Sequence, residues 1–207
     1  MKIKFIIFYF SGTGNTWWVT KEFANIIEEK GNQVEIYSIE NEKCDDVNFL
    51  KEKIREVDAL GIAYPIYGST APKIMWTFIE KLKEASEVIE EGISQRNEEK
   101  TRISFVITTM ALFSGDGALV TRKELETIGF KLIGAINLKM SSNISIPYFP
   151  YNPVEKEKLE KRKKKAIEDL EDFYSDLIKE KKHLEGRWNL LGKFGGWMQR
   201  VGMDWVL

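Results

Sequence analysis

Residues 3–10, Ile-Lys-Phe-Ile-Ile-Phe-Tyr-Phe, form a nearly unbroken apolar and aromatic run that leads straight into Ser11-Gly12-Thr13-Gly14-Asn15-Thr16 and then into a helical pattern. A strand that is apolar on both faces belongs inside a parallel sheet with helices on either side. A glycine-bearing turn between such a strand and a helix narrows the choice further, because parallel strands are joined by right-handed crossovers. The uninterrupted apolar part, Phe5 to Phe10, is shorter than the roughly 7–15 apolar residues of a secretory signal, and polar residues rather than a small-residue cleavage site follow it. No stretch approaches the roughly 20 apolar residues of a membrane span. The expectation is therefore a cytoplasmic protein with no transmembrane segment.

The same alternation continues along the chain. A helix is expected over residues 16–30, with Val19, Phe23, Ala24 and Ile27 on one face and Gly31 as its terminator. Strands are expected over 33–39, 59–64, 102–109 and 130–140. Helices are expected over 49–55, from Pro72 to about residue 85, and over 117–128, the last ended by Gly129. Residues 90–100 read as a solvated connection or a frayed helix end. Pro147, Pro150 and Pro153 mark an extended crossing segment. A long helix is expected over 154–183, with Ile167, Leu170, Tyr174, Leu177 and Ile178 along one side. Five strand–helix pairs imply an α/β fold, a doubly wound parallel sheet, whose ligands bind beyond the carboxyl ends of the strands. The loops after the first, third and fourth strands in the sheet's central part are the places to look.

Composition removes several classes of function. The 207 residues suit one domain of moderate size, and 31 Lys+Arg against 32 Asp+Glu leave no global positive field for nucleic acid. A single cysteine, Cys44, and a single histidine, His183, exclude an internal disulfide, a cysteine-rich zinc site, an iron–sulfur cluster and an ordinary Cys–His pair. Residues 155–165, with seven positive and three negative side chains, read as a solvated helix face.

The turn at residues 11–16 is built for a phosphate. Its glycines permit a tight turn, successive backbone N–H groups line one concavity, and the helix end adds a favourable dipole. Ser11, Thr13 and Thr16 add hydroxyls and Asn15 an amide. No lysine lies between Lys4 and Lys21, so a Walker-type triphosphate loop is excluded. A dinucleotide fingerprint would need glycine where Trp17 stands. Glu40 lies where a ribose-binding acid would be sought, which keeps NAD as a second reading of the loop. The favoured ligand is a terminal phosphomonoester held without basic side chains.

FYFSGTGNTWWVT resembles the phosphate loop of flavodoxins, whose T-G-N-T element binds the 5′-phosphate of FMN. YPIYGSTAP, the loop after the fourth strand and ELETIGFKLIGAINLKM extend the likeness over about residues 1–150, most strongly to the flavodoxin module of anaerobe flavodoxin-ferredoxin fusion proteins. Trp17 and Trp18 depart from the smaller or charged residues expected there. The resemblance implies a flavodoxin-like five-stranded sheet of order 2-1-3-4-5 with a C-terminal helical extension, and FMN as cofactor. It implies an electron carrier working with a redox partner protein such as a ferredoxin or reductase. The alternative is an FMN-dependent NAD(P)H oxidoreductase acting on a quinone or other small acceptor.

An isoalloxazine ring needs aromatic faces and backbone hydrogen bonds from a compact loop. The expected ring loop is Tyr64, Pro65, Ile66, Tyr67 and Gly68, with Tyr67 stacking on the ring and Gly68 supplying the peptide that faces N5. Thr108, Thr109, Met110, Phe113, Gly115, Asp116 and Gly117 are expected around the pyrimidine and ribityl side. No catalytic acid–base set and no metal ligand is expected.

Residues 1–185 form the expected FMN-binding domain and 186–207 an amphipathic tail. In the fusion proteins a ferredoxin domain follows; here the tail has no cluster-binding cysteines, and a separate partner is expected. Trp188, Leu191, Phe194, Met198, Val201 and Trp205 fall at helical spacing in the tail, while its glycines call for a surface to fold on. Packing on its own domain or a homodimer through this tail is favoured over a membrane or partner contact.

Overall fold

Period-two packing turns the apolar runs into one six-stranded sheet. The strands are β1 (Lys4–Tyr9), β2 (Gln33–Ser38), β3 (Ala59–Pro65), β4 (Ile103–Met110), β5 (Lys131–Lys139) and β6 (His183–Leu184). Every pairing is parallel and the order is β2-β1-β3-β4-β5-β6. The helices are α1 (Asn15–Glu29), α2 (Val47–Arg55), α3 (Lys73–Glu90), α4 (Arg122–Thr127) and α5 (Lys156–Ile178), with a 3-10 turn at Glu42–Asp45. This computed structural model describes residues 2–90, 102–111, 116–141 and 155–186. Among them, no helix is long and apolar enough to cross a membrane.

Successive strand residues point to opposite faces, so the sheet builds two cores. Phe5 and Ile7 of β1 face α1 and α5, packing with Phe23, Ile27, Leu170 and Phe173. Ile6 and Phe8 face the other way, toward Leu50 and Ile54 of α2, Met75 and Phe78 of α3, and Leu125 beside them. Burying these side chains stabilises the fold by about 1.5–3 kcal/mol each before chain entropy is counted. α1 ends in a Schellman arrangement: Gly31 N–H donates to the Glu28 carbonyl at 2.8 Å and Asn32 N–H to the Ile27 carbonyl at 3.1 Å.

The sheet has one strand more than expected. The long helix stops at Ile178, Glu180 takes φ +51°, and His183–Leu184 returns to pair with Gly134 and Ala135 of β5. His183 is therefore a strand residue, where a helix was expected. The cause is tertiary: Asp176 lies 2.9 Å from His183 Nδ1, and Glu185 N–H donates to the Ala135 carbonyl at 3.0 Å. The helix expected over 117–128 is also shorter. Bonds from Leu119 N–H to the Asp116 carbonyl and from Arg122 N–H to the Leu119 carbonyl make tight turns before α4 begins. The connection expected over 90–100, the proline-marked crossing at 147–153 and the tail past Gly186 fall outside the described residues, apart from Glu90 at the end of α3.

Candidate functional site

Three loops meet at the carboxyl ends of β1, β3 and β4 and enclose a cleft of about 270 Å³. Its first wall is the turn after β1. Gly14 caps α1 with φ +88°, a left-handed conformation that costs a residue with Cβ about 1–2 kcal/mol. The opening amides of a helix have no acceptor within it. One of them, Trp17 N–H, donates to Ser11 Oγ at 3.0 Å. Gly12 and Thr13 are exposed on the cleft wall. Asn15 Nδ2 donates to the Ser141 carbonyl at 2.9 Å, and Thr16 Oγ1 lies 2.8 Å from Thr109 Oγ1. These two contacts tie the turn to the ends of β5 and β4.

The second wall is a two-residue hairpin. Tyr67 and Thr70 exchange backbone hydrogen bonds at 3.1 Å in both directions. Between them Gly68 has φ +56° and Ser69 φ +60°, the signs of a type I′ turn. Ile66 N–H donates to the Thr109 carbonyl at 2.9 Å, fixing the hairpin to β4. Tyr67 is 44% exposed and its hydroxyl overhangs the first turn, since a Cβ on Gly12 would lie 3.2 Å from it. Pro65, Ile66, Met110 and Ala111 make the floor apolar.

The structure brings Gly12, Thr13, Asn15, Thr16, Pro65, Ile66, Tyr67, Thr109 and Met110 together in this cleft. Ser11 and Gly14 shape its first turn, and Gly68 shapes the hairpin. Tyr64 is corrected from ring contact to core residue: it is fully buried and its hydroxyl donates to the Gly117 carbonyl at 2.8 Å. Burial pushes its phenol far up, so it is no proton relay. Gly117 is accordingly a structural anchor. Thr108 is also turned away, donating to the Ile136 carbonyl at 3.2 Å and Asn137 Oδ1 at 2.9 Å. Asp116 starts the turn before α4 and does not line the cleft, while Phe113 and Gly115 lie outside the described residues. Sequence reasoning missed Met140 and Ser141, which close the cleft at the end of β5. The order β4-β5 was the signal that could have found them.

No charged side chain lines this wall among the described residues. Behind it, Arg162 Nη1 donates to the carbonyl of cleft-lining Met140 at 2.6 Å. The two tryptophans divide their roles: Trp18 packs against the core and Trp17 is 44% exposed. Cys44 is buried with its Sγ 3.4 Å from the Ser38 carbonyl, and burial pushes the thiol up to about 11. A thiol so placed is a poor nucleophile.

A doubly wound sheet whose first five strands run 2-1-3-4-5, with a phosphate-type turn after β1, defines the flavodoxin-like class of fold. No protein-family model matches the chain, and no curated protein matches it. Solved structures do. A putative quinone reductase from Klebsiella pneumoniae is 10% identical over 87% of this chain and 87% of its own, with a TM-score of 0.60. A WrbA-like flavodoxin protein from Agrobacterium tumefaciens is 13% identical over 87% and 100%, with a TM-score of 0.53. A flavodoxin from Streptococcus pneumoniae is 19% identical over 85% and 97%, with a TM-score of 0.51. The chain spans only 37% of the rubredoxin oxygen:oxidoreductase of Desulfovibrio gigas, which it also matches. The chain has the flavodoxin-like fold; these neighbours do not extend the likeness to ferredoxin fusions.

Proposed function

We propose that this chain is an FMN-binding electron-transfer protein. The observation that carries the reading is the shared cleft: a hydroxyl-rich helix-opening turn on one side and an exposed tyrosine hairpin on the other. The donor set fits the group. Thr13, Thr16 and the backbone amides of the turn that opens α1 suit one terminal phosphate, held by dipoles rather than by lysine. The lack of a Cβ on Gly12 lets the Tyr67 hydroxyl approach the first turn closely, which keeps the aromatic ring beside the phosphate-type turn.

Bound FMN would supply one- and two-electron redox chemistry. The protein's own residues do the rest. Thr13 and Thr16 anchor the phosphate, Tyr67 offers an aromatic face, and Ile66, Met110 and Ala111 keep water from the floor. Gly68 holds the hairpin in a conformation whose central peptide can rotate. Among the described residues the wall carries only hydroxyl, amide and apolar side chains, which suit holding a flavin better than moving a proton to a substrate. A ferredoxin or a flavin reductase is the kind of partner such a carrier needs.

The test is a fluorescence titration of the flavin-free protein with FMN, riboflavin and FAD. FMN should bind most tightly, with riboflavin weaker by at least ten-fold because a charge-assisted contact contributes about 1.5–3 kcal/mol. FAD binding as tightly as FMN would count against the reading. Rapid turnover of NAD(P)H with a quinone would favour the oxidoreductase instead.

A further inference from the structure

The first turns of α5 carry a charge distribution that helix stability does not explain. Residues 155–165 hold seven lysines and arginines against three glutamates, a surplus of four on a chain whose net charge is −1. The helix macrodipole favours acids at an N-terminus and bases at a C-terminus. α5 does the reverse, since Glu168, Asp169, Glu171, Asp172 and Asp176 occupy its second half. Exposed pairs such as Lys161–Glu157 at 2.7 Å and Lys163–Glu160 at 3.2 Å engage two of the glutamates without cancelling the surplus. Such pairs contribute little stability in water.

This surplus stands beside the cleft. α1 and α5 cover the same face of the sheet, and both start at the carboxyl ends of the strands. One turn before buried Ala166, the inward face of α5 carries Arg162 and Lys163. Arg162 holds the carbonyl of cleft-lining Met140, and the Lys163 ammonium lies 5.5 Å from the Trp18 ring centre. Next along α1 is the exposed Trp17, with Lys21 at 5.5 Å from its ring. Lys158, Lys161 and Lys164 stay exposed farther out.

We propose that the start of α5, with Trp17 and the adjoining cleft mouth, is a docking surface for an acidic redox protein. The electron-transfer part of this inference rests on the function proposed above; the choice of partner rests on charge. Lysines around the mouth steer an anionic surface toward it, and an exposed tryptophan at the edge supplies the aromatic contact that a short-lived complex buries. The net negative remainder of the molecule turns a basic partner elsewhere.

The experiment uses the full chain, the triple charge reversal Lys158→Glu, Lys161→Glu and Lys164→Glu, and Trp17→Ala. Circular dichroism and FMN affinity, both expected unchanged, serve as controls. Binding is followed by calorimetry and stopped-flow tryptophan fluorescence against three probes: an acidic plant-type [2Fe–2S] ferredoxin, basic cytochrome c, and phosphatidylserine vesicles. The ferredoxin should bind at low ionic strength and weaken with salt, and the triple reversal should slow its association about ten-fold or more. Trp17→Ala should raise the calorimetric dissociation constant. Ferredoxin binding untouched by the triple reversal, or tighter binding of cytochrome c, would overturn the proposal. So would binding of the vesicles with none of the ferredoxin. Calorimetry needs no flavin, so a chain that binds the ferredoxin but takes up no FMN sinks the cofactor reading and leaves this surface standing.

Discussion

Thr16→Val separates the two tasks assigned to one hydroxyl. Thr16 is 1% exposed, and its Oγ1 lies 2.8 Å from that of Thr109, itself 4% exposed. Valine keeps the shape and costs little in helix propensity, so no cavity opens. What changes is that the Thr109 hydroxyl loses its partner in a nearly closed setting, a penalty of about 1–2 kcal/mol. For a chain of this length that lowers Tm by about 2–8 °C. Adding Thr109→Val removes the orphan, and stability should return to within about 0.5 kcal/mol of the parent. FMN affinity should behave differently. The phosphate loses a donor in the single variant and does not regain it in the double, so Kd should rise about ten-fold or more in both. Thermal unfolding of the flavin-free proteins and FMN titration of each supply the four numbers needed. A double variant as unstable as the sum of the two singles would show that the hydroxyls are not coupled. Parental affinity in Thr16→Val would move the phosphate away from this turn.

Thr13 is exposed on the cleft wall with no such structural duty, so Thr13→Ala should weaken FMN by about 1.5–3 kcal/mol with Tm unchanged, measured by the same titration. Gly68→Ala places a Cβ at φ +56° and should cost about 1–2 kcal/mol, seen as faster amide exchange across residues 67–70. The tether of β6 should be pH-dependent. Glu185, 3.8 Å from Nε2, and Asp176, 2.9 Å from Nδ1, hold the His183 pKa above its ordinary value against burial. A raised histidine contributes stability that is complete below its unfolded pKa of about 6.5 and is lost as pH rises through the folded one. His183 and Lys181 lower the Asp176 pKa, and contacts with His183 and Asn137 lower that of Glu185 although burial opposes them. Those contributions are present above the unfolded carboxylate values and fade as pH falls through the folded ones. The cluster should therefore hold best in mildly acidic solution, and His183→Gln should abolish the loss of stability between neutral and alkaline pH in denaturant titrations.

The features legible in the sequence are those that local chemistry decides. Gly14 is the residue best suited to turn left-handed into α1, and its place between an apolar strand and a helical pattern is what locates that turn in the sequence. Tyr64 was misjudged although its parity was available. Leu60, Ile62 and Tyr64 alternate onto one face of β3, so the tyrosine continues a core row instead of turning up into the cleft. The same parity sends Thr108 toward β5 and Thr109 toward Thr16. Ser141 was out of reach, because the Asn15 contact that places it spans 126 residues. A two-residue strand such as β6 has no periodicity to read, and only its pairing with Gly134 and Ala135 defines it.

That short strand also bears on how copies of this chain behave in concentrated solution. An open parallel sheet offers two rows of unpaired backbone groups, each a template onto which a foreign strand could grow. On the β5 side, Leu184 and Glu185 occupy part of the row, and Glu185 Oε2 accepts the Asn137 N–H at 2.8 Å, removing a donor that an added strand would need. On the β2 side Glu35 stands within the strand, pairs with Lys53 at 2.7 Å and plants charge along the row. Both borders are thus guarded by groups too short or too polar to seed stacking. Loss of the Glu185 carboxylate would be felt first as a tendency to precipitate rather than as a change at the cleft.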